Sequence, residues 1–308
     1  MKNLKALIAA ALGIAIMQPV CAKPPQAIVD AIRDRAVQAG FDGSILIGEQ
    51  DGSYAIVTTG ENPVAADAVW RWASITKQLA VIVAMQEVAA GRLDPEAAVS
   101  RYWPDWKAKN AASIRVRDLL LHNSGLPQPD ESTPDSDGVP AFYRSDAALP
   151  HISAEAFCAG TPRAAAPAEF EYNNCDAIVV AEILTKVTGK PFDTLVRERF
   201  ARKLRMKGFG MFGLGSPVHP HVQPIGEYAN VDPLLNMGVY GAAGGAYGTI
   251  ADLWKLDRAL LSGKLLPGKE RELMWDSKRE NGFHGFFQWI YPAPLMGCQA
   301  PVRIVERK

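Results

Sequence analysis

Hydrophobic positions along this chain follow two periods. Residues 24–40 repeat at helical spacing, with Ile28, Ala31, Ile32 and Ala36 on one face and Gly40 as the stop. The period then shortens. Residues 43–48 and 54–59 are β-rich runs joined through Asp51-Gly52, a hairpin signal that starts an antiparallel sheet. A polar segment, 60–68, leads to the stretch 75–90, almost all apolar or helix-forming and followed by Gly91, which predicts a buried helix. From Leu93 to about Gly263 the pattern is mostly helical with long loops. A short helix over 116–122 ends in the turn Asn123-Ser124-Gly125-Leu126-Pro127. Residues 128–150 carry no sustained period and read either as the border of a cleft or as an ordinary connection. Residues 176–188 predict a second apolar helix stopped by Gly189, and 194–206 an amphipathic basic one. Thr249-Ile250-Ala251-Asp252 opens a helix to about Leu261 with a capping box. The strand pattern returns at 283–291 and 301–306.

Composition narrows the class. With 308 residues and 48% hydrophobic side chains, the chain can bury a substantial core. Lys plus Arg equal Asp plus Glu at 33 each, with no block of like charge, so no nucleic-acid footprint is present. The N-terminus joins a basic start, an apolar run over 6–17 and Val20-Cys21-Ala22, the layout of a signal peptide cleaved after Ala22. That run is too short to span a bilayer. A lipid anchor on Cys21 is the alternative, which the preceding Gln18-Pro19-Val20 disfavours. The reading is export to the periplasm or the exterior, with 1–22 removed and no transmembrane segment in the mature chain. An oxidising compartment then permits one disulfide, with the Cys158–Cys175 pairing favoured because those two are nearer in sequence than either is to Cys298.

Candidate chemistry centres on Ser74-Ile75-Thr76-Lys77 at the start of the buried helix. Helical spacing puts Lys77 within reach of the Ser74 hydroxyl. A serine is a weak nucleophile until a base takes its proton, and burial and the helix dipole both favour a neutral, basic Lys77. The spacing alone is weak, since about one such match arises by chance in a chain of this length. His122 invites a Ser-His-Asp reading, and His219-Pro220-His221 a metal site. The histidine pair has no companion carboxylate or cysteine cluster and reads as plain loop. Gly244-Gly245 leads into no lysine-bearing helix and is not a phosphate cradle.

Five stretches in order carry a family resemblance: Phe41-Asp42-Gly43-Ser44, Ser74-Ile75-Thr76-Lys77-Gln78, Leu119 through Pro127, Phe170-Glu171-Tyr172-Asn173-Asn174, and Gly244 through Leu253. Together they resemble the serine β-lactamase and penicillin-binding-protein family, in the branch of class C β-lactamases, D-alanyl-D-alanine carboxypeptidases and esterases. The resemblance spans about 41–306. It implies an α+β fold with an antiparallel β-sheet flanked by helices and a mostly helical subdomain. The sheet part would lie at about 23–73 and 264–308, and the helical part at about 74–263. It also implies that Tyr172, in a Y-x-N motif, sits near the Lys77 ammonium, ionises more readily and relays the serine proton. Asn174 would bind Lys77 and a substrate amide carbonyl, and His122 would lie in a structural turn.

The pattern breaks at the third family motif. No K-T-G or H-x-G follows the second motif; His284-Gly285 is the nearest text and resembles an earlier strand. The expectation is a chain shortened at its C-terminus, lacking the last strands and one oxyanion donor, with an exposed 283–287 strand. Two functions follow. One is an exported serine hydrolase acting on an amide, β-lactam or ester through Ser74, Lys77, Tyr172 and Asn174, with no metal or organic cofactor and a small-molecule or peptide substrate. The other is an inactive family member that at most binds peptidoglycan-like peptides.

Overall fold

A computed structural model describes residues 23–61, 63–144, 156–213, 235–277, 282–293 and 302–306. The proposed signal segment and the His219-Pro220-His221 stretch lie outside these residues. Helix α1, Gln26–Gln38, precedes a hairpin of β1, Gly43–Gly48, and β2, Tyr54–Thr59, in the antiparallel register Gly43 to Thr59. The buried face of α1 is carried by Val29 and Ala36 rather than by Ile28, which is exposed. Strand β3, Val69–Arg71, leads through a single 3₁₀ turn at Ala73–Ile75 into α2, Thr76–Ala89.

Helix α2 is the centre of the molecule. Every residue from Leu79 to Met85 is fully buried, because the sequence is apolar all round rather than on one stripe. Helix α3, Val116–Leu120, whose Asp118 accepts the Arg115 N–H in a capping box, packs on α4, Asn174–Thr188, and α4 with the short helix Gly241–Gly244 packs on α2. Asn173 caps α4 by accepting the Cys175 N–H, and Gly189 ends it in the left-handed conformation. The 194–206 stretch is less regular than its pattern predicts: helix over Phe192–Val196, a π turn over Arg197–Ala201, and one further turn to Leu204.

A second small sheet pairs β3 and β4, Gly210–Met211, on either side of β5, Ala246–Thr249. It mixes strands into the stretch whose pattern reads as helical. Thr249 then caps α5, Ile250–Leu261, through the Asp252 N–H, and α6 spans Gly268–Met274. The third sheet orders β6, His284–Gly285, β7, Gln288–Ala293, and β8, Val302–Glu306, all antiparallel.

One expected strand, 283–291, is broken in two, because Phe283 and Phe287 take positive φ of 62° and 53°. The break turns Phe286 and Phe287 into the core. Their N–H groups donate to Met274 O and Leu120 O, and their side chains are 3% and 5% exposed, so the expected exposed apolar strand is corrected.

Candidate active site

Ser74 lies in the 3₁₀ turn just ahead of α2, with Ala73 before it at a φ of +43°. Thr76 fixes this turn to the small sheet, since its hydroxyl donates to Ala73 O at 2.6 Å and accepts the Ala246 N–H at 3.1 Å. The Trp72 N–H donates to Ala246 O, and a Cβ on Gly248 would stand 2.7 Å from the Trp72 ring, so only glycine lets the strand lie this close. The nucleophile candidate is thus held between a helix start and a strand.

Lys77, one turn on, is 1% exposed. Its Nζ lies 3.3 Å from Ser74 Oγ and 2.6 Å from the Tyr172 hydroxyl, and it donates to Asn174 Oδ1 at 2.7 Å and to Ala243 O at 2.9 Å. Tyr172 completes the triangle, its hydroxyl 2.5 Å from Ser74 Oγ. Burial lowers the Lys77 amine from 10.5 to about 7, with Asp130 and Asp176 pulling against that shift. All four residues singled out from the sequence, Ser74, Lys77, Tyr172 and Asn174, therefore meet around the Lys77 amine.

The phenol departs from expectation. Burial, reinforced by Asp130, raises Tyr172 above the ordinary 10.0, despite the hydrogen bond with Ser74 that lowers it. The reason is geometric: a half-buried phenolate would lose more hydration than one shared amine returns. The group suited to hold the proton is Lys77. Two neutral amine hydrogens serve Asn174 and Ala243, which leaves the nitrogen lone pair facing the two hydroxyls.

Tyr172 and Asn174 reach the site because an extended stretch runs into the N-terminus of α4. The 122–127 turn clamps that stretch: Glu171 N–H donates to His122 O, Ala168 N–H to Asn123 O, and Asn173 Nδ2 to Leu126 O. Its Gly125 takes a φ of +65°, and an added Cβ would meet Ala164 O at 2.3 Å. The disulfide expected from the sequence is present, joining Cys158 to Cys175 next to Asn174.

The described part of the 128–150 loop packs against Tyr172 and Asn174. Gln128 Nε2 donates to Tyr172 O at 2.8 Å, and its Oε1 accepts the Asn174 N–H at 3.1 Å. Asn174 Nδ2 donates to the Tyr143 hydroxyl at 2.7 Å and to Asp130 Oδ1 at 3.2 Å. Tyr143 in turn donates to Asp130 and stacks on Tyr240 at 4.1 Å between ring centroids. Gln128, Asp130, Tyr143 and the Ala243 carbonyl escape sequence reasoning, because none stands in a motif whose chemistry requires it. The only trace was the aperiodic loop.

His122 makes no hydrogen bond to Ser74. Its φ of +58° turns the ring inward, its Nδ1 lies 2.8 Å from Asp176 Oδ2, and burial keeps it well below the usual histidine value. Strands β6 and β7 stand behind Tyr172, where His284 stacks on Phe170 and Trp289 lies 6.4 Å from the phenol ring. Among the described residues no group of three or more His, Cys, Asp or Glu is placed to hold a metal ion, and no helix is long and apolar enough to cross a membrane.

Comparison with known proteins places the chain in a family and a fold. The family model described as Beta-lactamase matches residues 30–288. An N-acetylmuramyl-L-alanine amidase of Bacillus subtilis is 28% identical over 203 residues, 58% of this chain and 44% of that protein. A putative D-alanyl-D-alanine carboxypeptidase of Escherichia coli K12 is 29% identical over 178 residues, 53% of this chain and 36% of that protein. The chain thus spans less than half the length of these relatives. The crystal structure of a D-amino acid amidase from Ochrobactrum anthropi superposes with a TM-score of 0.67 at 24% identity, covering 87% of this chain and 76% of the other, which shows a common fold.

Proposed function

The chain belongs to the Beta-lactamase family of serine hydrolases, and from that premise we propose that it cleaves an amide, β-lactam or ester by acyl transfer to Ser74. The observation that carries this reading is the triangle of Ser74, Tyr172 and Lys77, with sides of 2.5, 2.6 and 3.3 Å around a buried amine lowered to about 7. Ser74 Oγ attacks the carbonyl carbon. Its proton passes through the Tyr172 hydroxyl to neutral Lys77, and returns by the same route to the leaving group. The Ser74 N–H, at the mouth of α2, supplies one oxyanion donor. Asn174 anchors Lys77 and gives up one of its two Nδ2 partners when a substrate carbonyl takes the place. Water then hydrolyses the acyl-enzyme. Export is part of the proposal, supported by the 1–22 pattern and by a disulfide, which oxidising compartments preserve.

The alternative reading is a family member that acylates slowly or not at all and at most binds peptidoglycan-like peptides.

Intact mass spectrometry after incubation with a fluorophosphonate, and separately with a penicillin, separates the two. The expected result is a covalent adduct that disappears in Ser74→Ala. A folded wild-type protein that forms no adduct with either reagent would establish the second reading.

A further inference from the structure

Directly behind Tyr172 lies a polar chain that the acyl-transfer reading does not use. Asp176 is fully buried, Ser124 is 1% exposed and His122 is 4% exposed. Ser124 donates to Asp176 Oδ1 at 2.5 Å and accepts the Leu126 N–H at 3.1 Å. His122 Nδ1 stands 2.8 Å from Asp176 Oδ2 and also accepts the Asn173 N–H at 3.2 Å.

Hydrogen-bond accounting decides where the proton sits. The Ser124 oxygen already accepts from Leu126, so its own hydrogen goes to Asp176 Oδ1. The Asn173 N–H points at His122 Nδ1, so that nitrogen presents its lone pair; a hydrogen there would put two N–H groups head to head. The imidazole is then the Nε2–H tautomer, with its Nε2 buried and given no hydrogen-bond partner among the described residues. With a lone pair on Nδ1, the contact to Asp176 Oδ2 needs a hydrogen from the carboxyl. We propose that Asp176 is a protonated carboxylic acid in the resting protein, donating to His122 Nδ1, and that the Ser124–Asp176–His122 chain is an uncharged brace that positions the Tyr172-Asn173-Asn174 stretch.

The groups facing Asp176 agree. Burial raises its carboxyl well above 3.8, and Asp118 on α3 adds to the rise. The Ser124 hydrogen bond and Lys77 on α2 oppose it without reversing the direction. Burial, Lys77 and His284 keep His122 uncharged. The ring of His122 lies 4.8 Å from that of Tyr172, between it and Phe287, so the brace bears on the phenol through packing as well as through the Asn173 N–H. A neutral Asp176 also has a consequence for the amine. An ionised carboxylate there would hold Lys77 as the ammonium and oppose its service as a base. Asp176 touches neither Ser74 nor a substrate, so its role is positioning.

This inference rests on Lys77 as proton acceptor only for its kinetic consequence; the proton on Asp176 is testable in a protein that acylates nothing. Infrared difference spectroscopy of wild type against Asp176→Asn at neutral pH reads it directly. The expected result is a protonated-carboxyl C=O band in the wild type that the variant lacks. A carboxylate band lost in its place would overturn the proposal. The asparagine amide reproduces the neutral acid, giving N–H to His122 and accepting from Ser124, so the acid limb of the acylation pH profile should stay where it is in the wild type. A limb displaced by about one pH unit or more toward acid would mean that Asp176 is an anion facing Lys77, and would also overturn it. Asp176→Ala, which breaks the chain, should lower the acylation rate constant at least 10-fold with little change in substrate affinity. Partial recovery in Asp176→Asn, with a circular dichroism spectrum like that of the wild type for both variants, separates positioning from loss of fold.

Discussion

A lysine with an ordinary amine holds its proton at every physiological pH, and Lys77 differs because burial removes the water that would solvate the charge. The neutral fraction of the folded protein therefore rises with pH through about 7. Adduct formation at Ser74 should follow it, slow below pH 6 and levelling above about pH 8, when the second-order rate constant is measured across pH with a neutral ester. In the proposed route Tyr172, whose hydroxyl is 2.5 Å from Ser74 Oγ, relays the proton between groups that otherwise face each other at 3.3 Å. Tyr172→Phe should slow acylation about 100-fold or more, the usual range for losing a positioned proton-transfer group, with the unfolding midpoint little changed. The rate and a urea titration on the same preparation check both halves.

Among the elements, α2 and α4 carry the site between them. The Cys158–Cys175 bond fastens the first turn of α4, which bears Asn174, to the chain segment over 156–160. The bridged residues are 17 apart in sequence, so the chain-entropy argument gives about 3 kcal/mol. Reductant, or a Cys158→Ala/Cys175→Ala double variant, should lower unfolding stability by about that amount in denaturant titration. The loss of Asn174 order should appear as weaker acylation before global unfolding.

The short helices show why element prediction is uneven. Helix α2 was legible because its apolar run exceeds anything a surface helix or strand needs. Strands β3 and β4, of three and two residues, lie below the length at which any period can be read. The 283–291 run showed strand composition, yet positive φ at Phe283 and Phe287 redirected it into the core. The gain is burial of two phenylalanines, which local preference does not contain.

At the scale of the whole molecule, a buried ion cluster ties the far end of α2 to the rest. Glu87 is fully buried and binds Arg92 at 2.6 Å and Arg199, from the π turn, at 2.5 Å. Burial by itself would raise its carboxyl, but hydrogen bonds from both arginines outweigh it and hold the group below 4.5. The stability this provides is present above the ordinary carboxyl range and is lost as pH falls through the lower folded value. Glu87→Ala should destabilise the protein by about 3 kcal/mol, the lower end for a broken buried pair, because the Arg92 side chain is half-exposed and regains water. Urea unfolding at pH 7 measures the loss, and the difference from wild type should shrink at about pH 3.

The sequence by itself determined which four residues meet at the candidate site. Ser74 and Lys77 share one helical turn, so local geometry fixes their reach, and Tyr172 and Asn174 stood in a motif close to the start of a well-patterned helix. It also marked Cys158 and Cys175 as the nearer pair. Only the tertiary structure decided how those groups are poised. Desolvation depends on everything packed around an atom, so the lowering of Lys77, the raising of Tyr172 and the proton on Asp176 have no local signature. The same holds for Asp130, Tyr143 and the Ala243 carbonyl, which reach the site from segments distant in sequence, the last from the short helix Gly241–Gly244.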